Sequence, residues 1–169
     1  MLRGVCFLTP YNLVVSPSAS PGRILALDVG ARRIGLAVSD PLGITAQGLD
    51  TLHRTNKRTD LAHLKSLIAE YQVAEIVVGY PLKMSGLPGA QAEKVSAFAE
   101  ELRRHFALPV HLWDERLTST QANRLLRETE ISIRRRGQAV DRMAAALILQ
   151  NFLESRLARP PAPGQNHLN

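Results

Sequence analysis

The clearest feature of the hydrophobic pattern is an unbroken apolar run, Ile24-Leu25-Ala26-Leu27, that stops at Asp28. A run without polar alternation predicts a central strand covered on both faces. Gly30-Ala31-Arg32-Arg33 reads as a turn, and Ile34-Gly35-Leu36-Ala37-Val38-Ser39 as a second strand forming a hairpin with the first. After a further turn at Asp40-Pro41-Leu42-Gly43, a third strand is expected over roughly Thr45 to Leu52. The period then changes. Leu61, Leu64, Ile68 and Tyr71 recur at three- and four-residue spacing behind Asn56-Lys57-Arg58, which predicts a helix. Glu75-Ile76-Val77-Val78-Gly79 predicts a fourth strand, and Val110-His111-Leu112-Trp113 a fifth. Between them Val95, Phe98, Ala99, Leu102 and Phe106 mark one face of a second helix. Thr118-Ser119-Thr120-Gln121 has the form of a capping box, with Thr118 as N-cap of a helix through Leu125 and Leu126. Ile133 to Gly137 reads as a basic loop. The last helix is expected to open near Val140-Asp141, placing Asp141 in its first turn, and to continue through Leu147, Ile148, Phe152 and Leu157. Hairpin strands followed by alternating helices and strands imply an α/β fold on a sheet with one antiparallel member.

Six of the ten prolines lie near the ends: Pro10, Pro17, Pro21, Pro160, Pro161 and Pro163. Segments of that composition bury too little surface to offset ordering entropy. One folded domain is therefore expected over 23–157, between flexible extensions at 1–22 and 158–169. The apolar stretch near the N-terminus is short, interrupted by Pro10, and carries a single Arg3, so it reads as an unprocessed extension. No apolar run is long enough to span a membrane, and a cytoplasmic location is expected. Lys and Arg number 21 against 15 Asp and Glu, a net charge of +6. A basic domain of this kind attracts polyanions, nucleic acid foremost. The single cysteine, Cys6, excludes an internal disulfide framework, and the five histidines lack zinc-ligand spacing.

Three acids stand out by position. Asp28 terminates an apolar strand, where a carboxylate is costly to bury without a partner or metal; an Asx turn with Val29-Gly30 is the competing role. Glu115 follows the fifth strand, at the end where open α/β sheets place ligands, although Asp114-Glu115-Arg116 also suits an exposed charged turn. Asp141, at a helix start, would be favoured by the helix dipole. Ala144 and Ala145 on the same face would let that helix approach a sheet and carry the carboxylate inward. Three converging carboxylates suit two hard divalent ions, Mg²⁺ or Mn²⁺, and phosphodiester hydrolysis. A pair of carboxylates could also serve glycoside hydrolysis, but with one Trp and 5% aromatics a sugar-stacking cleft has little support.

The segment Asp28-Val29-Gly30-Ala31-Arg32-Arg33-Ile34-Gly35-Leu36-Ala37-Val38-Ser39-Asp40 resembles the opening motif of the YqgF/RuvX family. Gly79-Tyr80-Pro81 with Gly86, Asp114 to Ser119, and Val140-Asp141 with Ala144-Ala145 follow in that family's order. The resemblance spans about Ile24 to Leu153. It implies an RNase H-like fold with a five-stranded mixed sheet, helices on both faces, and kinship to RuvC resolvase. It further implies a nuclease maturing the 5′ end of pre-16S rRNA, or a Holliday junction resolvase, with catalytic and metal-binding acids at Asp28, Glu115 and Asp141. Lys83 and Ser85 depart from the Asn and Asp expected of the family, replacing directed amide bonds with a phosphate-seeking charge at Lys83.

Arg32, Arg33, Lys83, Arg116, Thr118 and the run Arg134, Arg135 and Arg136 are candidate nucleic-acid contacts, holding phosphates near the ions. Arg116 could equally pair with Asp114. Structured RNA is the expected partner, branched DNA the alternative, and ribosomal precursor particles a further one. A non-catalytic assembly factor would use the same basic surface without turnover. An actin-like phosphate-binding fold shares Asp28-Val29-Gly30 but normally needs two such domains.

Overall fold

The computed structural model describes residues 22–82, 89–114 and 133–158, with side chains described from 141 onward in the last segment. Its strands are β1 (Arg23–Val29), β2 (Arg33–Ser39), β3 (Ala46–Gly48), β4 (Leu52–His53), β5 (Val73–Tyr80) and β6 (Val110–Asp114). Its helices are α1 (Lys57–Glu70), α2 (Ala90–Phe106) and α3 (Ile133–Leu157). The sheet runs β3-β2-β1-β5-β6, with β4 also pairing with β2. β2 is antiparallel to β1, β3 and β4, whereas β1, β5 and β6 are mutually parallel. The single antiparallel member is thus β2, as expected.

Strand alternation sorts the core into two layers. Leu25, Leu27 and Val29 of β1 join Ile34 and Leu36 of β2 under α1 and α2, where Leu61, Leu64, Val95, Ala99 and Leu102 cover them. Ile24 and Ala26 of β1, Ala37 of β2 and Val77 of β5 face α3, against Ala145, Ile148, Leu149, Phe152 and Leu153. Each fully buried leucine contributes about 1.5–3 kcal/mol relative to exposure, so both layers are needed. Local signals set the helix ends. Asn56 caps α1 by accepting from the Thr59 amide at 3.0 Å, and Ala107 ends α2 in the left-handed region at φ 52°.

One expectation is refined and one corrected. The third strand is interrupted, as β3 and β4; both pieces pair with β2, and the exposed Asp50 between them meets Arg142. The expected basic loop at Ile133 to Gly137 is the beginning of α3. Arg, Gln, Ala and Met favour helix, and one internal glycine costs about 1 kcal/mol, which the rest of the helix offsets. With Ile133 as first residue, Asp141 is the ninth, so the helix dipole does not account for its position. Of the expected extensions at 1–22 and 158–169, residues 1–21 and 159–169 lie outside the described residues, as does the expected capped helix after Thr118.

Candidate active site

Asp28 occupies the penultimate position of β1 and, two residues beyond Ala26, faces α3. Its partner across the hairpin is Gly35. On the other side Leu27 is level with Val78, which brings Gly79 alongside Asp28. The carboxylate is therefore flanked by a residue without a side chain on either strand. Farther along the same level Gly79 pairs with Trp113, whose ring packs edge-on against Phe152 of α3.

Asp141 reaches the same place from above. α3 crosses β2 so closely that a Cβ on Gly35 would collide with the Asp141 carbonyl oxygen, and one on Gly48 would collide with the Arg142 side chain. Ala145, one turn on, is fully buried against the sheet, which bears out the small-residue argument. The two acids sense each other. Burial, and secondly the negative charge of Asp141, push the Asp28 carboxyl up from its ordinary 3.8 to about 6. Arg33, two residues before Gly35 on β2, places Nε 2.9 Å from Asp141 Oδ2. That contact is charge pairing without hydrogen-bond geometry, so the buried Oδ2 lacks a hydrogen-bond donor among the described residues.

A partly buried carboxylate displaced toward protonation, beside a second carboxylate with an unfilled oxygen, fits a hard divalent cation. A cation there would relieve both the desolvation and the repulsion. Among the described residues no group of three or more His, Cys, Asp or Glu side chains forms a complete cage. The expected third ligand, Glu115, lies outside the described residues, immediately after Asp114, the last residue of β6. The structure thus brings together two of the three predicted acids.

Arg32 is exposed in the hairpin turn, and Arg33 beside it is paired with Asp141 through Nε. Lys83, Arg116 and Thr118 lie outside the described residues, as do the side chains of Arg134, Arg135 and Arg136 at the start of α3. Sequence reasoning missed Gly35 and Gly48 as seats for α3. A glycine inside a strand, as in Ile34-Gly35-Leu36, is the signal that would have found the first.

A sequence profile of the RuvX family, described as "Holliday junction resolvase", matches residues 22–155. The chain belongs to the RuvX family. The "Putative pre-16S rRNA nuclease" of Koribacter versatilis is 66% identical over 140 residues, covering 83% of this chain and 92% of that one. The protein of the same name from Moorella thermoacetica is 54% identical over 132 residues, covering 78% and 94%. Among solved structures, Thermus thermophilus RuvC in complex with a Holliday junction substrate aligns with a TM-score of 0.49 at 13% identity, over 81% of this chain and 96% of that one. Fowlpox virus resolvase with its junction DNA aligns at 0.46 and 10%, over 80% and 99%. This RuvX-family chain has a mixed sheet, as the resemblance implied. Among the described residues no helix is long and apolar enough to cross a membrane.

Proposed function

We propose that this chain is a cytoplasmic, divalent-metal-dependent nuclease that hydrolyses phosphodiester bonds and matures the 5′ end of pre-16S rRNA, acting on ribosomal precursor particles. The single observation carrying the reading is the meeting of Asp28 and Asp141 over Gly35, with the Asp28 carboxyl raised by burial and by its neighbour. The names of the relatives support the substrate.

Asp28 and Asp141 would hold Mg²⁺ or Mn²⁺, with Glu115 as the expected third ligand and two ions as the expected number. When bound, such ions supply a lowered pKa for water and charge stabilisation at the leaving oxygen. The remaining work falls to the chain. Arg33 pairs with Asp141 and fixes the orientation of its carboxylate. Gly79, level with Asp28 on β5, places no side chain beside the carboxylate on that flank. Arg32, exposed at the hairpin turn, is positioned to meet backbone phosphates without reading bases. Lys83, Arg116, Thr118 and Arg134 to Arg136 are proposed to extend that contact.

The test is cleavage of a pre-16S rRNA 5′ precursor with Mn²⁺ or Mg²⁺ and with EDTA. Wild type should cut only with metal, and Asp28→Asn should bind the RNA and leave it intact. Cleavage by purified Asp28→Asn at the wild-type rate would sink the assignment, and chelator-insensitive binding without turnover in any metal would favour an assembly factor.

The family's description favours a second reading, resolution of four-way DNA junctions. Junctions and precursor RNA incubated side by side separate the two: paired symmetric nicks indicate resolution. That reaction also needs two active sites, and a strictly monomeric protein in sedimentation would exclude it.

A further inference from the structure

The end of β1 separates two differently equipped faces. Asp28 faces α3, while the next residue, Val29, lines a cavity of about 490 Å³ on the side of α1 and α2. Its wall carries Arg54, Lys57 and Lys94, with Phe98 beneath. Asp60, 2% exposed, is the acid among the lining residues, and its carboxylate is already engaged. It accepts from the Thr55 amide at 3.2 Å and from Arg54 Nε at 3.4 Å. Arg54 also donates to the Gly30 carbonyl at 3.0 Å, and its guanidinium lies 5.5 Å from the centre of the Phe98 ring. The pair Arg54–Asp60 therefore fixes the floor of the cavity. Lys57 and Lys94 leave a net positive rim, although Lys57 also reaches Glu101 at 2.5 Å.

Both helices open onto this cavity. Asn56 and Lys57 begin α1, and Gln91 sits in the first turn of α2, tied to the strand by its Nε2 donating to the Val29 carbonyl at 3.1 Å. Gly89 caps α2 without a side-chain hydrogen bond. Helix starts carry partial positive charge, lysines a full one, and the planar Arg54 guanidinium lying over the Phe98 ring offers a surface on which a base can stack. A volume of this size suits a small ligand rather than a single ion.

We infer that this cavity binds a nucleotide, its phosphate at Lys57 and Lys94 and its base toward Phe98. The inference deepens the nuclease reading and rests on it for the strand: a nucleic acid engaged at Asp28 would cross the Gly30–Arg33 turn and seat a flanking nucleotide on the opposite face. A free mononucleotide presents the same chemistry.

The experiment measures binding with the full chain in EDTA, so that neither ions nor cleavage contribute. The probes are a fluorescent single-stranded oligoribonucleotide, followed by anisotropy over a salt series, and 5′-AMP, followed by calorimetry. Lys94→Glu and Lys57→Glu are compared with Lys65→Glu, an exposed residue of α1 outside the cavity. The expected result is several-fold weaker binding for each cavity variant, a salt slope lower by about one, and no change for Lys65→Glu. Loss confined to the oligonucleotide assigns a strand subsite; loss with 5′-AMP as well assigns a nucleotide site. Equal binding by wild type and both cavity variants overturns the inference, as does the absence of binding by wild type to either probe. Thermal melting of each variant establishes that it is folded. Cleavage by Asp28→Asn tests the nuclease reading separately, because the binding readout does not depend on that acid.

Discussion

Replacing Asp28 with asparagine should abolish cleavage and, in the absence of divalent ions, make the fold more stable at alkaline pH. The folded carboxyl ionises at about 6 against an ordinary 3.8, because of burial and then the Asp141 charge. A raised pKa means that Asp28 favours the fold while protonated. That contribution is fully present below pH 3.8 and is lost as pH rises through about 6. At 1.36 kcal/mol per pH unit, the ionised carboxylate costs about 3 kcal/mol of stability above pH 6. An asparagine amide in the same place also loses some solvation, which reduces the net gain to about 1–2 kcal/mol. For a chain of this size that is a rise of about 2–8 °C in Tm. The assay is thermal denaturation of both proteins in EDTA at pH 4, 6 and 8. The gain should be near zero at pH 4 and largest at pH 8. A variant melting at or below wild type at pH 8, or a gain independent of pH, would refute the burial of Asp28 beside a second charge.

Three further outcomes follow from the same geometry. Mn²⁺ at about 100 times its dissociation constant should stabilise wild type by about 2.7 kcal/mol at pH 8, much less at pH 5, and little in Asp28→Asn; differential scanning fluorimetry checks it. Gly35→Ala should cost about 1–3 kcal/mol in urea denaturation, because its methyl group drives α3 off β2, and should slow cleavage by displacing Asp141. Glu75 sits under a desolvation penalty that is outweighed by hydrogen bonds from Arg156 at 2.9 Å and His111 at 2.8 Å, so its pKa is lowered. Its stabilising contribution is present above the ordinary carboxylate range and lost as pH falls through the folded value; Glu75→Gln should therefore melt below wild type at pH 6, with the gap closing in acid.

The site was partly legible in the sequence because one of its acids interrupts a simple pattern. Asp28 ends an apolar run, and such a position is costly unless something compensates it. Asp141 was legible through Ala145, whose small side chain marks the buried face of α3. The start of α3 was not, since Ile133 to Gly137 has no apolar period and periodicity is the main helix signal. Its helix-forming arginines carry the turn instead. The role of Gly35 needed two segments more than a hundred residues apart to be seen together. Lys83, Glu115, Arg116 and Thr118 fall outside the described residues, so their expected roles rest on sequence.

The seat of α3 on Gly35 is a main-chain-to-main-chain fit, and this governs how the spacing of the acids can vary. Advancing the helix by one residue would carry Asp141 about 1.5 Å along its axis and rotate it by about 100°, away from Asp28. A peptide carbonyl lodged over a strand without a side chain resists that slip in a way interchangeable aliphatic side chains would not. Core residues deeper in the layer can therefore be exchanged for others of similar size while the distance between the two carboxylates stays fixed.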